Sequence, residues 1–314
     1  MMTLIYSFTT IWLKMKDLRQ ARTFKEVFEE YLVRMNNKES IKSHKLYSVA
    51  GNKFITFMKR DFTLSSITPK QIDAYAKHLF QQNLSDTTVR IYLTLIKVIL
   101  NYAIKLGYVN YKIHPFVLIK LPTAKIRNLD LSIKELRCVR DVELSNPLHL
   151  YTRDIFMLTY YLGGINLRDL TAYNFNNQTV MQYIRHKTRQ SKKGDNMVVF
   201  AIQPEAQEII NKYIRDDGHL HFGKYHTYEK VYSLVSRYLP LVSAHAGINK
   251  KISYYSARKS FAQHGYELGI PLEQIEYCLG HSMKNNRPIF NYVRIMSCHA
   301  DKVIRMILDG LQEK

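Results

Sequence analysis

Along most of this chain the apolar positions recur every three or four residues, the spacing that lines one face of an α-helix. In "SDTTVRIYLTLIKVILNYAIKLG" the residues Val89, Tyr92, Leu95, Ile96, Ile99, Leu100 and Ala103 share such a face, and Gly107 stands where the helix would stop. Further upstream, "TFKEVFEEYLVRM" sets Thr23 and Glu26 at capping-box spacing, each side chain placed to satisfy the other's free backbone N–H. A small helical bundle is therefore predicted over 23–108, preceded by an arm of residues 1–22. Ser132 and Glu135 repeat the capping-box spacing and open a second domain, 129–314, whose next helix is "YTRDIFMLTYYLGG". One patch breaks the helical period: "TVMQYIRHKTRQSKKGDNMVVFAI" alternates, which predicts a β-hairpin with "KKGDN" as its turn. Helices resume from about Pro204. The expected fold class is mainly α with a small β-sheet.

Between the two domains, 109–128 holds prolines and several Lys and Arg without a sustained period. It reads either as a basic linker lying along something negative or as an ordinary connection.

Composition narrows the partner. Forty-six Lys and Arg against 26 Asp and Glu leave a charge of +20 on 314 residues, 46% of them apolar. A chain that can bury proper cores yet carries this surplus is expected to meet a polyanion, either nucleic acid or an anionic membrane surface. Membrane is the weaker expectation, because no run reaches the length of a span. The start "MMTLIYSFTTIWLKMK" lacks the basic segment that precedes the apolar run of a secretory signal. Cys138, Cys278 and Cys298 are scattered without a CxxC pair, so neither a disulfide framework nor a zinc site is indicated. The expectation is a cytoplasmic protein, with no metal and no cofactor.

Cutting a DNA phosphodiester without metal needs a nucleophile for phosphorus, cations for the extra charge of the transition state, and an acid for the leaving 5′ oxygen. Arg258 opens "SARKSFAQHGYELG", where helix N–H groups also favour phosphate; His281 follows in "LGHS"; Tyr292 comes in "IFNYVRI". Each alone is ordinary in a chain with 23 tyrosines. Their order and spacing resemble the tyrosine recombinases of the phage-integrase family, whose second arginine is followed by an LGH and then the tyrosine. The match covers the second domain well. It extends more loosely to the first, which resembles the family's helical, SAM-like core-binding domain.

The resemblance implies an α+β catalytic domain, double-stranded DNA as partner, and a Tyr292 nucleophile that forms a 3′-phosphotyrosine. It also implies a lysine in a β-turn as the general acid; "RHKTRQ" offers Lys187. Two positions depart from the family pattern. The first arginine would sit in the turn "GINLRDL", but Asn166 occupies its place, with Arg168 two residues on and Asp169 at the acidic position. The missing charge is assigned to Arg168 or Arg185, with Arg185 preferred because it shares a strand face with Lys187. Tyr255 stands where the family usually has His. A phenol there can donate a hydrogen bond but is no easy base near neutral pH. Tyr254, beside it, could exchange roles with it. Phe290 lies where some members carry their tyrosine, and it has no oxygen to offer.

"RQSKKG" and "NKK" (Asn249 to Lys251) read as phosphate contacts or as a solvated charged face. The apolar stripe of "DKVIRMILDGLQEK" folds back on its own domain or docks into a neighbour; the second would build a homo-tetramer on two recombination sites through the C-terminal helix. Two other readings stay open: a catalytically decayed, sequence-specific DNA-binding protein of the same fold, and a relaxing topoisomerase using the same chemistry.

Overall fold

The structure is a computed structural model that describes residues 22–36, 41–59, 62–123, 128–187, 197–281 and 297–312. The chain divides into two compact units, Met1–Arg127 and Asn128–Lys314.

The first unit is helical. It contains α1 (Phe24–Asn36), α2 (Ile41–Met58), a short 3-10 turn (Leu64–Ser66), α3 (Pro69–Gln81) and α4 (Asp86–Lys105). The first capping box forms: Thr23 N–H donates to Glu26 Oε2 at 2.9 Å, and Glu26 N–H to Thr23 Oγ1 at 3.2 Å. Thr68 and Gln71 make another at the start of α3. In α4 the buried positions are Val89, Leu93, Ile96, Ile99, Leu100 and Ala103. Leu93 replaces Tyr92 and Leu95 of the predicted stripe, which are only half-buried, because steps of four, three, four and three residues from Val89 track the core more closely. By length and composition α4 is apolar enough to cross a membrane, yet its apolar stripe is the core of this unit. Gly107, at φ +73°, ends it.

Glu30 is the polar centre of the unit. Tyr102 and Tyr108 donate to it at 2.8 and 3.0 Å, and Arg22 pairs with it while its guanidinium lies 4.1 Å from the centre of the Tyr108 ring. Burial opposes the Glu30 charge, but the hydrogen bonds from Arg22, Tyr102 and Tyr108 outweigh it and hold the carboxyl below its usual range. The stretch read as a linker is, as far as residue 123, a wall of this unit. Phe116 is buried, Ile119 and Leu121 pack on the core, and Tyr111 donates to the Leu64 carbonyl.

The second unit holds α5 (Ile133–Asp141), α6 (Pro147–Tyr161), α7 (Leu167–Ala172), strands β1 (Val180–Ile184) and β2 (Met197–Ala201), α8 (Pro204–Tyr213), α9 (Tyr228–His245), α10 (Tyr254–Glu267), α11 (Leu272–Cys278) and α12 (Ser297–Gln312). The Ser132–Glu135 box caps α5. The strands form an antiparallel pair running from Val180↔Ala201 to Ile184↔Met197. The predicted turn "KKGDN" lies outside the described residues. Helix α6 is buried at every position from Asp154 to Tyr161, so it is the axis of the unit, with α9 and α10 packed on it.

Two expectations change here. The stripe of α12 (Ala300, Val303, Ile304, Ile307, Leu308, Leu311) is buried in its own unit's core, and Arg137 and Arg140 donate to its last carbonyls. The chain thus covers this face by itself instead of offering it to a neighbour. Lys250 is not a free phosphate contact: it pairs with Glu135 at 2.7 Å.

Candidate active site

Two helices end in the same way and face the same side chain. At the end of α6, Gly163 N–H donates to Tyr160 O at 3.2 Å and Gly164 N–H to Thr159 O at 2.9 Å. At the end of α11, Gly280 N–H donates to Tyr277 O at 2.8 Å and His281 N–H to Glu276 O at 2.9 Å. Both are Schellman closures, which need a left-handed residue just past the helix. Gly163 and Gly280 supply it, at φ +67° and +65°. This explains "LGH" physically: leucine caps, glycine turns, and histidine is the next residue, held by its backbone.

Arg258, on α10 and only 3% exposed, spans the two ends. Its Nη1 donates to Gly164 O at 2.6 Å, and its Nη2 to Leu279 O at 2.6 Å and to His281 Nε2 at 3.1 Å. Carbonyls at helix C-termini lack intrahelical partners and carry partial negative charge, so a guanidinium suits both. The approach is close. A Cβ on Gly164 would come within 2.9 Å of a Leu279 methyl and 3.3 Å of the Arg258 Cα. Arg258 is not at the helix N-terminus, as expected from sequence, but one turn in: α10 starts at Tyr254, capped by Ser253.

Because Arg258 donates to His281 Nε2, the imidazole is neutral and keeps its proton on Nδ1. Burial, then Arg258, Arg185 and Lys187, push its pKa down to about 4. Arg185 follows β1 directly; its side-chain stem lies 3.6 Å from where a Gly280 Cβ would be. Burial and then Arg185 also lower the Arg258 pKa. Asp169 accepts the His186 N–H at 2.7 Å and so fixes the segment that carries Arg185 and Lys187. Burial raises the Asp169 carboxyl, against that bond and the Arg185, His186 and Arg258 charges.

The structure thus gathers Arg258, His281, Arg185 and Lys187, with the Tyr255 hydroxyl bonded to Arg258. It sets Arg168 apart: that side chain is exposed, with its guanidinium 5.5 Å from the centre of the Tyr228 ring. Asn166 caps α7, accepting the Arg168 N–H at 3.1 Å, which gives the asparagine a local job. Tyr254 cannot exchange with Tyr255. Its hydroxyl is bonded to Thr159 at 2.7 Å and to Ile165 O at 3.1 Å, and burial pushes its phenol well above the usual value. Tyr292, Phe290 and all of "RQSKKG" lie outside the described residues. No group of three or more His, Cys, Asp or Glu among the described residues is arranged to hold a metal.

Residues 23–120 match the phage integrase SAM-like domain. The chain is similar in part of its sequence to a tyrosine recombinase, and in fold to phage and transposon integrases. A relative, tyrosine recombinase XerD of Lacticaseibacillus casei, is 24% identical over 160 residues, which cover 48% of this chain and 53% of that protein. The chain therefore aligns to about half of that relative's length. In fold it is similar to lambda integrase as a tetramer bound to a Holliday junction, at TM-score 0.63 and 13% identity over 92% of this chain and 81% of that one. It is similar also to the Tn1549 transposon integrase in complex with a circular intermediate DNA, at TM-score 0.62 and 11% identity over 91% and 99%.

The sequence reading missed Gly163 and Gly164, Asp169's hold on the backbone after β1, and the anchoring of Tyr254. A double glycine ending an apolar helix, opposite a second Leu-Gly ending, was the available signal for the first.

Proposed function

We propose that the chain is a site-specific DNA recombinase, an integrase that cleaves and rejoins double-stranded DNA through a 3′-phosphotyrosine intermediate, for integration, excision or inversion. The observation that carries this reading is the gathering of Arg258, which bonds to His281 at 3.1 Å, with Arg185 and Lys187, whose charges, after burial, help to lower the His281 pKa. Like charges held together by a fold are relieved by an anion, and a scissile phosphate supplies one.

The Tyr292 phenol oxygen attacks phosphorus while the P–O5′ bond breaks. Lys187 gives its proton to the 5′ oxygen, and the phenol proton passes to solvent. Arg258 and Arg185 hold the non-bridging oxygens, Arg185 supplying the charge that Asn166 lacks. His281 donates from Nδ1, and Tyr255 supports Arg258. The free 5′ hydroxyl of a partner duplex then attacks the phosphotyrosine, which restores the tyrosine without a nucleotide cofactor. The likeness to a lambda integrase tetramer on a Holliday junction supports a tetramer on two sites, acting on DNA in the cytoplasm.

The decayed-binder reading draws on one observation: Asn166 is committed to capping, and two Arg258 donors are already bound to carbonyls. A nicked suicide duplex made from the DNA flanking this gene separates the two. An SDS-stable adduct that disappears with Tyr292→Phe supports the recombinase. Tight binding without an adduct overturns it in favour of the binder.

A further inference from the structure

Beside the cation cluster lies a cavity of about 400 Å³ that the chemistry above does not use. Its walls are one face of α9 (Tyr228, Tyr232, Ser236), the cap of α7 at Asn166, and the approach to α10 at Lys251 and Tyr255. Three features stand out. The Tyr228 and Tyr232 rings are stacked, with centres 6.0 Å apart and planes 27° apart. Tyr232 and Tyr255 are 53% and 46% exposed, unusual for large rings whose apolar faces find no cover within the chain. The rim is cationic: Arg168 lies over Tyr228, Lys251 is exposed, and neither is paired with a carboxylate among the described residues. The wall is shared with the cluster, since the Tyr255 hydroxyl bonds to Arg258.

We propose that this cavity seats one unstacked nucleobase of the DNA strand whose phosphate is held at Arg258. The proposal rests on the reading of the cluster as a phosphate site. Phenol rings offer flat faces to a base, and stacking of this kind tolerates any base because each has a π-face. The flanking cations meet the phosphates on either side. A cavity of this size fits a small aromatic ligand. Asn166, whose side-chain oxygen is occupied by its cap, keeps its amide group for an edge of the base. A segment of a neighbouring chain would be the rival occupant, but three phenols and two unpaired cations suit a stacked, anionic ligand better.

The experiment uses the full chain carrying Tyr292→Phe, so that no strand is cut, and a single-stranded thymidine oligonucleotide in which one base is 5-iodouracil. Irradiation crosslinks iodouracil to a ring stacked on it, and peptide mass mapping locates the ring. The expected crosslinks fall on Tyr232, Tyr228 or Tyr255. Tyr232→Ala is expected to remove the Tyr232 crosslink and weaken oligonucleotide binding about tenfold, while Tyr232→Phe stays within about twofold, since the ring remains. Circular dichroism of the alanine variant checks folding, which an exposed ring should not decide. Crosslinks only elsewhere, or unchanged binding by Tyr232→Ala, overturn the proposal. So does a Tyr232→Ala variant that loses self-association in sedimentation while its DNA binding is intact. None of these outcomes requires strand cleavage. If the chain with Tyr292 intact forms no adduct on the suicide duplex while the crosslink appears in Tyr292→Phe, the recombinase falls and the pocket stands.

Discussion

Each unit of this chain gathers charge at its centre, and the two centres are built to opposite rules. Around Glu30 one carboxylate meets one guanidinium and two phenols; the cluster closes on itself and its bonds hold the acid charged. Around Arg258 the fold brings together two guanidiniums, a lysine and an imidazole; burial first, and then the neighbouring cations, lower both the arginine and the histidine. The first centre is satisfied and belongs to stability. The second concentrates charge of one sign, the arrangement that the proposed phosphate site needs.

This contrast can be broken at either end. The largest effect is expected from Arg258→Ala: adduct formation should fall roughly 10²- to 10³-fold, the usual cost of one preorganised transition-state donor. Arg258→Lys should rescue little of it, because one ammonium cannot reach two carbonyls and the imidazole in a planar fork. Quantitative adduct assays would show it, and near-normal activity in either variant would remove Arg258 from the chemistry.

Next in size is Gly164→Ala. A left-handed φ of +73° and a contact of 3.3 Å to the Arg258 backbone leave no room for a methyl group. A loss of about 2–4 kcal/mol is expected in urea unfolding of the second unit, with the first unit's transition unmoved.

Glu30→Gln should cost the first unit about 0.5–1 kcal/mol, since Arg22 loses its charge partner and two phenols a strong acceptor, discounted because the pair is more than a third exposed. Added sulfate sharpens the comparison. It should raise the melting temperature of the second unit, less so in Arg185→Gln, and should leave the Glu30→Gln deficit where it is. An equal sulfate effect with and without Arg185 would contradict the assignment of Arg185 to the anion site.

The smallest effect is on His281. Its pKa is lowered to about 4 from the ordinary value near 6.5. The unfolded chain thus binds the proton first, so the histidine's contribution to stability is full above about pH 6.5 and fades as pH falls towards 4. Bound sulfate offsets the neighbouring cations and should move the titration upward. An NMR titration of the imidazole, with and without sulfate, reads both points.

What the sequence made legible was local. The Thr23–Glu26 and Ser132–Glu135 boxes were readable because both partners lie within one turn. Arg185 was expected to share a strand face with Lys187, but β1 ends at Ile184 and both residues lie beyond it, in a segment held by the Asp169 bond to the His186 N–H. Other features depend on partners far along the chain. The stretch after Gly107 looked like a linker until Phe116 and Tyr111 found the first unit's core. Lys250 looked free until Glu135, 115 residues earlier, stood opposite. Tyr254 and Tyr255 are neighbours of one type. Only their surroundings, Thr159 and Ile165 for one and Arg258 for the other, divide anchor from participant.

The grip of Arg258 on Gly164 and Leu279 works as an interlock. Its two carbonyl partners come from helix ends far apart in the chain, and neither is in place before α6 and α11 have both closed and docked. A half-folded or newly made chain has the charge but not its bearing. The cation cluster is thus assembled only when the second unit is complete.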